Sequence, residues 1–153
     1  MTAPQSVAAQ DSKRMLPDGW RWVRLGEVCE MRKGHTPREE WYAESGCRLV
    51  RFRDLKDGCV DWTAGFRSFV SPQYARFLKP LTARNTLVTS DAHDPASIGK
   101  KIAYVEVMPE TLGAVYYSGE MIAVRPSDES LIEPRWPFLW LSPYFARLSR
   151  LLP

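Results

Sequence analysis

The feature that most constrains the fold is a pair of short apolar runs, residues 86–89 and 100–107, separated by a polar stretch. Each run has the length and the β-branched content of a strand, whereas Asp, His, Pro, Ser and Gly fill residues 90–99 between them. The sequence therefore predicts two strands that hold a long loop at the edge of a sheet, where loops often carry function.

The C-terminal end of this loop has the side chains of an anion-binding site. Ser97 supplies a hydroxyl group, Gly99 a permissive backbone, and Lys100 and Lys101 supply two ammonium groups. Together these groups suit an anion such as a phosphate. The alternative is a solvated hairpin loop whose lysines only face water.

The rest of the chain predicts further short elements. Residues 47–55 alternate like a strand whose outer face carries Arg48, Arg51 and Arg53. Residues 56–58 predict a turn into a following strand, which makes a hairpin. The remaining predictions are helical turns at 25–31 and 39–44, a helix at 71–78, a strand at 114–124 with a bulge near its middle, and a helix at 134–152 broken by Pro143.

A second basic segment lies at residues 32–38, where Gly and Pro interrupt regular structure. Gly34 would let the backbone approach a partner closely, with Lys33 and Arg38 on either side. The alternative is a charged surface turn. Arg51 and Arg53 likewise have two interpretations, since a guanidinium group on a strand suits guanine or phosphate but also pairs with a nearby aspartate.

Composition narrows the classes of partner and compartment. The net charge of +3, from 21 Lys and Arg against 18 Asp and Glu, allows a polyanionic partner only through a local patch. The three cysteines have no CxxC spacing, so we expect reduced thiols rather than disulfides or a zinc site. The sequence shows no signal peptide and no apolar run near the roughly 18 residues of a membrane span, so we expect a cytoplasmic protein with no membrane partner.

The length fits one domain. Residues 1–14 are polar and Ala-rich without periodicity, which predicts a disordered lead-in, and residues 15–153 are expected to form a single domain. Trp20 and Trp22, which follow a turn-forming cluster, are expected to be core or lid residues.

The sequence has no convincing catalytic motif. It lacks GxGxxG, GxxxxGK[ST] and GxSxG patterns, and no second polar cluster supports Asp91, His93 and Asp94 in the long loop. Turn formation explains these three residues, and a small nuclease or hydrolase that uses them is a remote alternative. We therefore expect no catalytic residue and no metal ligand in the chain.

Five segments occur in a recognisable order: LPDGW with VRLGEV (residues 16–28), GHTP (34–37), VRFRDLKDG (50–58), SIGK (97–100) and FLWL (138–141). They resemble the opening LPxGW…xLGEV, the GxTP loop, the WVRxxDLKDG strand and turn, the (T/S)IGK loop and the closing helix of a known domain. This is the target recognition domain of the DNA-specificity subunit of type I restriction-modification systems. The resemblance covers residues 16 to about 152.

The resemblance implies an α+β fold, with a twisted, mostly antiparallel sheet and flanking short helices. It implies a non-catalytic module that recognises half of a bipartite sequence in double-stranded DNA. The implied partners are a methyltransferase subunit, which would hold the S-adenosylmethionine cofactor, and possibly an endonuclease subunit. No cofactor is expected in this chain itself.

The chain departs from the family pattern in two places. Family members usually carry two such domains joined by long helices, whereas this sequence ends at Pro153. Residues 116–120 (YYSGE) also stand where the family often has an Asn-Gln pair. A truncated piece, a half-subunit and a derived domain with another partner all remain open.

We expect basic residues to contact phosphates while two or three loops enter the grooves. The expected phosphate contacts are Lys33, Arg38, Lys56, Lys100 and Lys101. The expected contacts through base edges or groove-facing backbone are Gly34, His35, Thr36, Arg51, Arg53, Ser97 and Gly99, with Arg67 and Tyr117 as additions.

The main rival is a protein-interaction or scaffold domain that docks another subunit through its aromatic C-terminal region, residues 136–145. DNA binding predicts that the cations share one contiguous surface, whereas scaffolding predicts that they are scattered.

Overall fold

The computed structural model describes residues 16–63, 68–90 and 101–142. In chain order its strands are β1 (Cys29–Lys33), β2 (Tyr42–Val50), β3 (Leu55–Lys56), β4 (Cys59–Val60), β5 (Phe69–Val70), β6 (Lys79–Pro80), β7 (Asn85–Thr89), β8 (Ile102–Val105), β9 (Val115–Tyr117) and β10 (Met121–Pro126). The α-helices are α1 (Leu25–Val28) and α2 (Trp136–Leu141), and short 3-10 helices cover Glu39–Trp41, Phe52–Asp54, Pro72–Phe77 and Glu110–Leu112.

Four strands form sheet one, in the spatial order β1-β10-β7-β8, and every neighbouring pair is antiparallel. The register aligns Lys33 with Ile122, Met121 with Thr89, and Val88 with Ile102. The end of β1, the start of β10, the end of β7 and the start of β8 therefore lie together. We call this the upper end of sheet one.

Sheet two has the order β5-β2-β9-β6. Its central pair, β2 and β9, is parallel and aligns Val50 with Tyr117, whereas β5 and β6 pair antiparallel on either side. Because β2 and β9 are parallel, both strands finish at the same end of sheet two. Residues 118–120, which we call the junction turn, lead from that end of sheet two to the upper end of sheet one.

Strands β3 and β4 form a two-stranded ribbon. Asp57 and Gly58 connect them and have φ angles of 51° and 80°. A tight two-residue hairpin of type I′ needs positive φ at both positions, and Asp-Gly is a favoured pair for it. The predicted turn at residues 56–58 is therefore present, with a hairpin around it.

The main core lies between the two sheets and the ribbon. It includes Val50 of β2, Leu55 of β3, Leu87 of β7, Tyr117 of β9 and Met121 of β10. Burying these side chains joins the three assemblies, since each strand face removes apolar area from water. A second cluster packs the 3-10 helices against sheet two through Trp41, Leu49, Val70 and Leu78.

The predicted α+β class with mostly antiparallel strands is confirmed, as is the predicted strand pair, now bounded as β7 and β8. Several local predictions were wrong because tertiary pairing overrode local pattern. Cys29–Lys33 is a strand rather than part of a helix, because it pairs with β10. The predicted strand at 114–124 is two strands in different sheets, divided at the junction turn.

Trp20 and Trp22 are 72% and 53% exposed, so of the two alternatives predicted for them, core or lid, the core position is wrong. The predicted outer position of Arg48 is also wrong: its side chain is only 1% exposed, because β2 is a central strand and the Arg48 Nη2 donates to the carbonyl oxygen of Thr63 over 2.9 Å. No helix within the described ranges is long and apolar enough to cross a membrane.

Candidate nucleic-acid interface

The junction turn is the place where the predicted binding segments meet. The backbone N–H of Ser118 donates to the carbonyl oxygen of Val50, at the end of β2, over 2.9 Å. The N–H of Ser90, just after β7, donates to the carbonyl oxygen of Glu120 over 2.9 Å. Chain segments that are far apart in sequence are thus tied to one turn.

The loop at residues 34–38 lies directly on the junction turn. A Cβ added to Gly34 would be 2.2 Å from the carbonyl oxygen of Ser118, and one added to Gly119 would be 2.5 Å from Oγ1 of Thr36. Such approaches leave no room for a side chain, so both positions favour glycine for contact reasons alone. The contact places His35 and Thr36 beside the turn.

Arg51 is joined to the junction turn by an ion pair. Its Nη2 donates to Glu120 Oε1 over 2.8 Å, and its Nε donates to Oε2 over 3.5 Å. Burial alone would lower the pKa of the Arg51 guanidinium, but the hydrogen bond and charge of Glu120 outweigh burial and raise it. Burial opposes ionisation of Glu120, yet hydrogen bonds from Arg51 and Ser118 lower the pKa of its carboxyl group.

The backbone around Arg51 is fixed by Asp54. The Asp54 carboxylate accepts a hydrogen bond from the Arg51 N–H over 2.9 Å, and it lies 3.6 Å from the guanidinium of buried Arg48. Arg53, one residue away, is partly buried, and its Nη2 has no hydrogen-bond partner within the part of the chain that the structure describes. Through Asp54, the short 3-10 helix that follows β2 is therefore held in place at the end of that strand.

Lys101 and Lys56 line a common groove of about 570 Å³, together with Phe138 of α2. The Lys101 ammonium group lies 5.2 Å from the ring centroid of Phe52, which ties the start of β8 to the 3-10 helix. Lys56 donates to Asp61 Oδ2 over 2.5 Å, and this hydrogen bond raises the pKa of the exposed Lys56 ammonium group.

An aromatic column extends the surface beyond His35. The imidazole stacks on Trp41 with ring centroids 5.6 Å apart, and Trp41 stacks on Phe77 at 5.3 Å. The guanidinium of Arg38 lies 5.8 Å from the Trp41 centroid, and that of Arg76 lies 4.8 Å from the Phe77 centroid. Cations therefore lie beside successive rings of the column.

The structure brings most of the predicted residues into one connected set. Lys33 is exposed at the upper end of sheet one and leads into the loop. Tyr117 does not fit the prediction of a groove contact, because it is 1% exposed and its hydroxyl donates to the carbonyl oxygen of Arg32 over 3.0 Å. The predictions that fall outside the described residues are Arg67, Asp91, His93, Asp94, Ser97, Gly99 and Lys100, together with the lead-in and the end of the last helix.

Sequence reasoning missed three residues of this surface. Glu120 gave no signal, because its partner Arg51 is 69 residues away along the chain. Arg76 and Phe77 were treated only as parts of a helix, and their place beside Trp41 depends on the fold. Within the described ranges, no group of three His, Cys, Asp or Glu side chains is placed to bind a metal ion.

No protein-family model matches the chain. Among curated proteins, the chain is 36% identical over 56 residues to the type I restriction enzyme EcoAI specificity subunit of Escherichia coli, an alignment that covers 37% of this chain and 10% of that subunit. Among solved structures, it matches a chain from a study of complex assembly and conformational transition of the type I R-M system. That match has a TM-score of 0.61 and 25% identity, and it covers 89% of this chain.

The chain has the fold of a type I specificity-subunit target recognition domain. The HsdS subunit from Thermoanaerobacter tengcongensis shares this domain fold, with a TM-score of 0.58 and 22% identity over 94% of the chain. The resemblance inferred from the five sequence segments is thereby confirmed. The chain spans 30% and 32% of the two solved chains, so it corresponds to one part of such proteins.

Proposed function

We propose that this target recognition domain is a non-catalytic, sequence-specific DNA-binding module that directs a partner adenine methyltransferase or restriction complex to its site. The observation that supports this most is the convergence of the segments after β1, β2 and β7 on the junction turn. Loops gathered at one end of a rigid pair of sheets suit insertion into the grooves of a duplex.

The described residues divide into two roles under this proposal. Lys33, Arg38 and Lys101 contact phosphates and set the position of the domain on the duplex, whereas His35, Thr36, Arg51 and Arg53 approach base edges. Lys56 is assigned to the phosphate contacts as well, since its ammonium group is exposed and solvent screens its ion pair with Asp61. A phosphate therefore competes readily for its ammonium group.

The same similarity supports the proposal of partners. We propose that the methyltransferase subunit supplies the S-adenosylmethionine chemistry, and that an endonuclease subunit can join the complex. A single domain with few base contacts binds DNA weakly, so affinity and specificity in the complex depend on linkage to a partner or a second recognition domain.

The decisive experiment is selection of bound sequences from random duplex DNA by the full chain, alone and with its methyltransferase subunit. We expect a short enriched motif in at least one of the two conditions. If no motif is enriched in either, the chain does not recognise sequence and the proposal fails.

A matched pair of variants tests the phosphate contacts. Lys101 lies at the upper end of sheet one, whereas Arg84 lies at the opposite end of β7, where it pairs with Glu129. Each alanine replacement removes one positive charge. Lys101→Ala should weaken binding to all duplexes alike and reduce the slope of log K against log[salt] by about 1. Arg84→Ala should leave that slope unchanged, and equal slopes for the two variants would contradict the assignment.

One observation favours protein docking as a second candidate function. Trp136 and Trp140 of α2 stack on each other at 5.8 Å, and both rings are substantially exposed, as is Leu139. If docking is the sole function, Trp140→Ala should abolish assembly with the methyltransferase subunit while wild-type protein selects no DNA motif. Retention of assembly by Trp140→Ala would exclude this surface.

A further inference from the structure

Arg51 and Glu120 form the one ion pair that lies directly on the junction turn among the described residues. Their side chains are 20% and 23% exposed, so the pair is largely covered rather than free in solvent. Glu120 contacts one edge of the guanidinium, through Nε and one N–H of Nη2. This side-on arrangement fixes the plane of the guanidinium group.

The hydrogen-bond inventory of the pair is strongly unequal. A carboxylate has about four acceptor sites, and Glu120 accepts from Arg51 Nε and Nη2, from Ser118 Oγ over 2.9 Å and from the Phe52 N–H over 3.5 Å. A guanidinium has five N–H donors, of which two are used here. The other three have no protein partner within the described residues. Oε2 of Glu120 accepts three of these hydrogen bonds and Oε1 accepts one, so most acceptor sites of the carboxylate are occupied, whereas Arg51 still has three unused donors.

The unused donors match the edge of one base. Two adjacent N–H groups of an arginine pair with O6 and N7 of guanine in the major groove, a bidentate contact that no other base offers. A guanidinium whose plane is already fixed loses less side-chain entropy when it forms that contact. Glu120 is less suited to accept from cytosine, because most of its acceptor sites are occupied by protein donors.

We propose that Arg51, oriented by Glu120, recognises a guanine in the major groove, so that the DNA target contains at least one G·C pair specified by this residue. This inference rests on the proposed function. Glu120 acts as a positioning residue, and Arg51 is the side chain that touches the base.

The test repeats the duplex selection with wild type, Arg51→Ala, Arg51→Lys and Glu120→Gln. Wild type should enrich a motif with a fixed G, and Arg51→Ala should lose the preference at that position alone. Arg51→Lys keeps the charge but not the planar fork, so its preference for G should be weaker than that of wild type and stronger than that of Arg51→Ala. Glu120→Gln keeps the shape of the side chain but not its charge, so it should weaken the preference for G at the same position without abolishing it. Arg84→Ala serves as the charge control and should select the wild-type motif.

A modified base gives a readout that does not depend on the folding of any variant. Replacing the fixed guanine by 7-deazaguanine removes the N7 acceptor but leaves O6, so wild-type affinity should fall several-fold, by less than the roughly 5- to 150-fold expected for loss of the whole bidentate contact. The same replacement should leave the affinity of Arg51→Ala almost unchanged, because that variant has no side-chain donor for N7.

The possible failures are distinct. If wild type enriches no motif, the proposed function fails and this inference fails with it. If wild type enriches a motif but Arg51→Ala and Arg51→Lys enrich the same motif, the domain recognises DNA and the assignment of Arg51 is wrong. A relaxed position that is not a G·C pair, or full wild-type affinity for 7-deazaguanine, would also overturn the assignment.

Discussion

Replacing Gly34 by alanine tests the contact on which the whole site depends. The added methyl carbon would stand 2.2 Å from the carbonyl oxygen of Ser118, whereas ordinary contact begins near 3.4 Å. The nearest atoms belong to backbone rather than to a flexible side chain, so they cannot rotate away. The loop at residues 34–38 must therefore retreat from the junction turn by about 1 Å.

The loss of stability in Gly34→Ala follows from the hydrogen bonds that break when the loop moves away from the junction turn. The N–H of Gly34 donates to the carbonyl oxygen of Met121 over 3.0 Å, and the N–H of His35 donates to the carbonyl oxygen of Tyr117 over 3.4 Å. Each hydrogen bond contributes about 0.5–1.5 kcal/mol net. We expect a loss of about 2 kcal/mol in the free energy of unfolding, in line with the usual penalty of about 1–3 kcal/mol for overpacking.

Gly26→Ala is the matched control. Gly26 lies in α1, and an added Cβ would meet only the flexible end of Met31 at 3.5 Å. The same chemical change should therefore be neutral or slightly stabilising there, since alanine favours a helix over glycine by about 1 kcal/mol at most. Urea unfolding of both variants gives the difference in free energy, and duplex binding of both gives the effect on the site.

Gly34→Ala should unfold at lower urea than Gly26→Ala and should bind duplex DNA less tightly at temperatures where both are folded. A difference of less than about 0.5 kcal/mol between the two variants, the usual range for harmless surface changes, would refute the steric role of Gly34. Such a result would mean that the loop does not approach the junction turn as closely as the structure shows.

Three further predictions concern the surroundings of the site. Tyr117→Phe removes the hydroxyl that donates to the Arg32 carbonyl group, so urea unfolding should show a loss of about 1 kcal/mol while the selected DNA motif is unchanged; an altered motif would restore Tyr117 as a DNA contact. Arg48→Ala leaves the largely buried Asp54 carboxylate without its charge partner and should cost about 3–5 kcal/mol, which an unfolding midpoint close to that of wild type would contradict. The folded-state pKa of Glu120 lies below its ordinary value of 4.5, so the stability that its ionisation contributes is present above that pH and is lost as the pH falls through the folded-state value. The difference in unfolding free energy between wild type and Glu120→Gln should therefore shrink in acid, and a difference independent of pH would disprove the ionic contribution.

Much of the framework could be predicted because its signals are local. The ribbon of β3 and β4 follows from Asp57-Gly58, two adjacent residues that tolerate positive φ. The β7 and β8 pair follows from two β-branched runs around a polar loop. The order of five short motifs also indicated the family. These features depend on neighbours in sequence, and the sequence displays them directly.

The faces and pairings at the site depended on the tertiary structure. The strand predicted at residues 47–55 carried three outward arginines. In the structure Arg48 is buried on the central strand β2, where Thr63 accepts from its guanidinium, and β2 ends at Val50, so Arg51 lies beyond the strand. The period-two rule holds only while a strand continues. Its end is decided here by the pairing of β2 with β9 rather than by propensity.

The sequence by itself determined the turns, the strand pair and the presence of basic residues near glycines. Only the fold decided which of those residues became neighbours. The junction turn joins two sheets. Its Glu120 contacts Arg51, 69 residues away in sequence, because the parallel strands β2 and β9 finish at the same end of sheet two. Contacts of this kind arise from the packing of whole sheets, which buries apolar area collectively, and no short stretch of sequence encodes them.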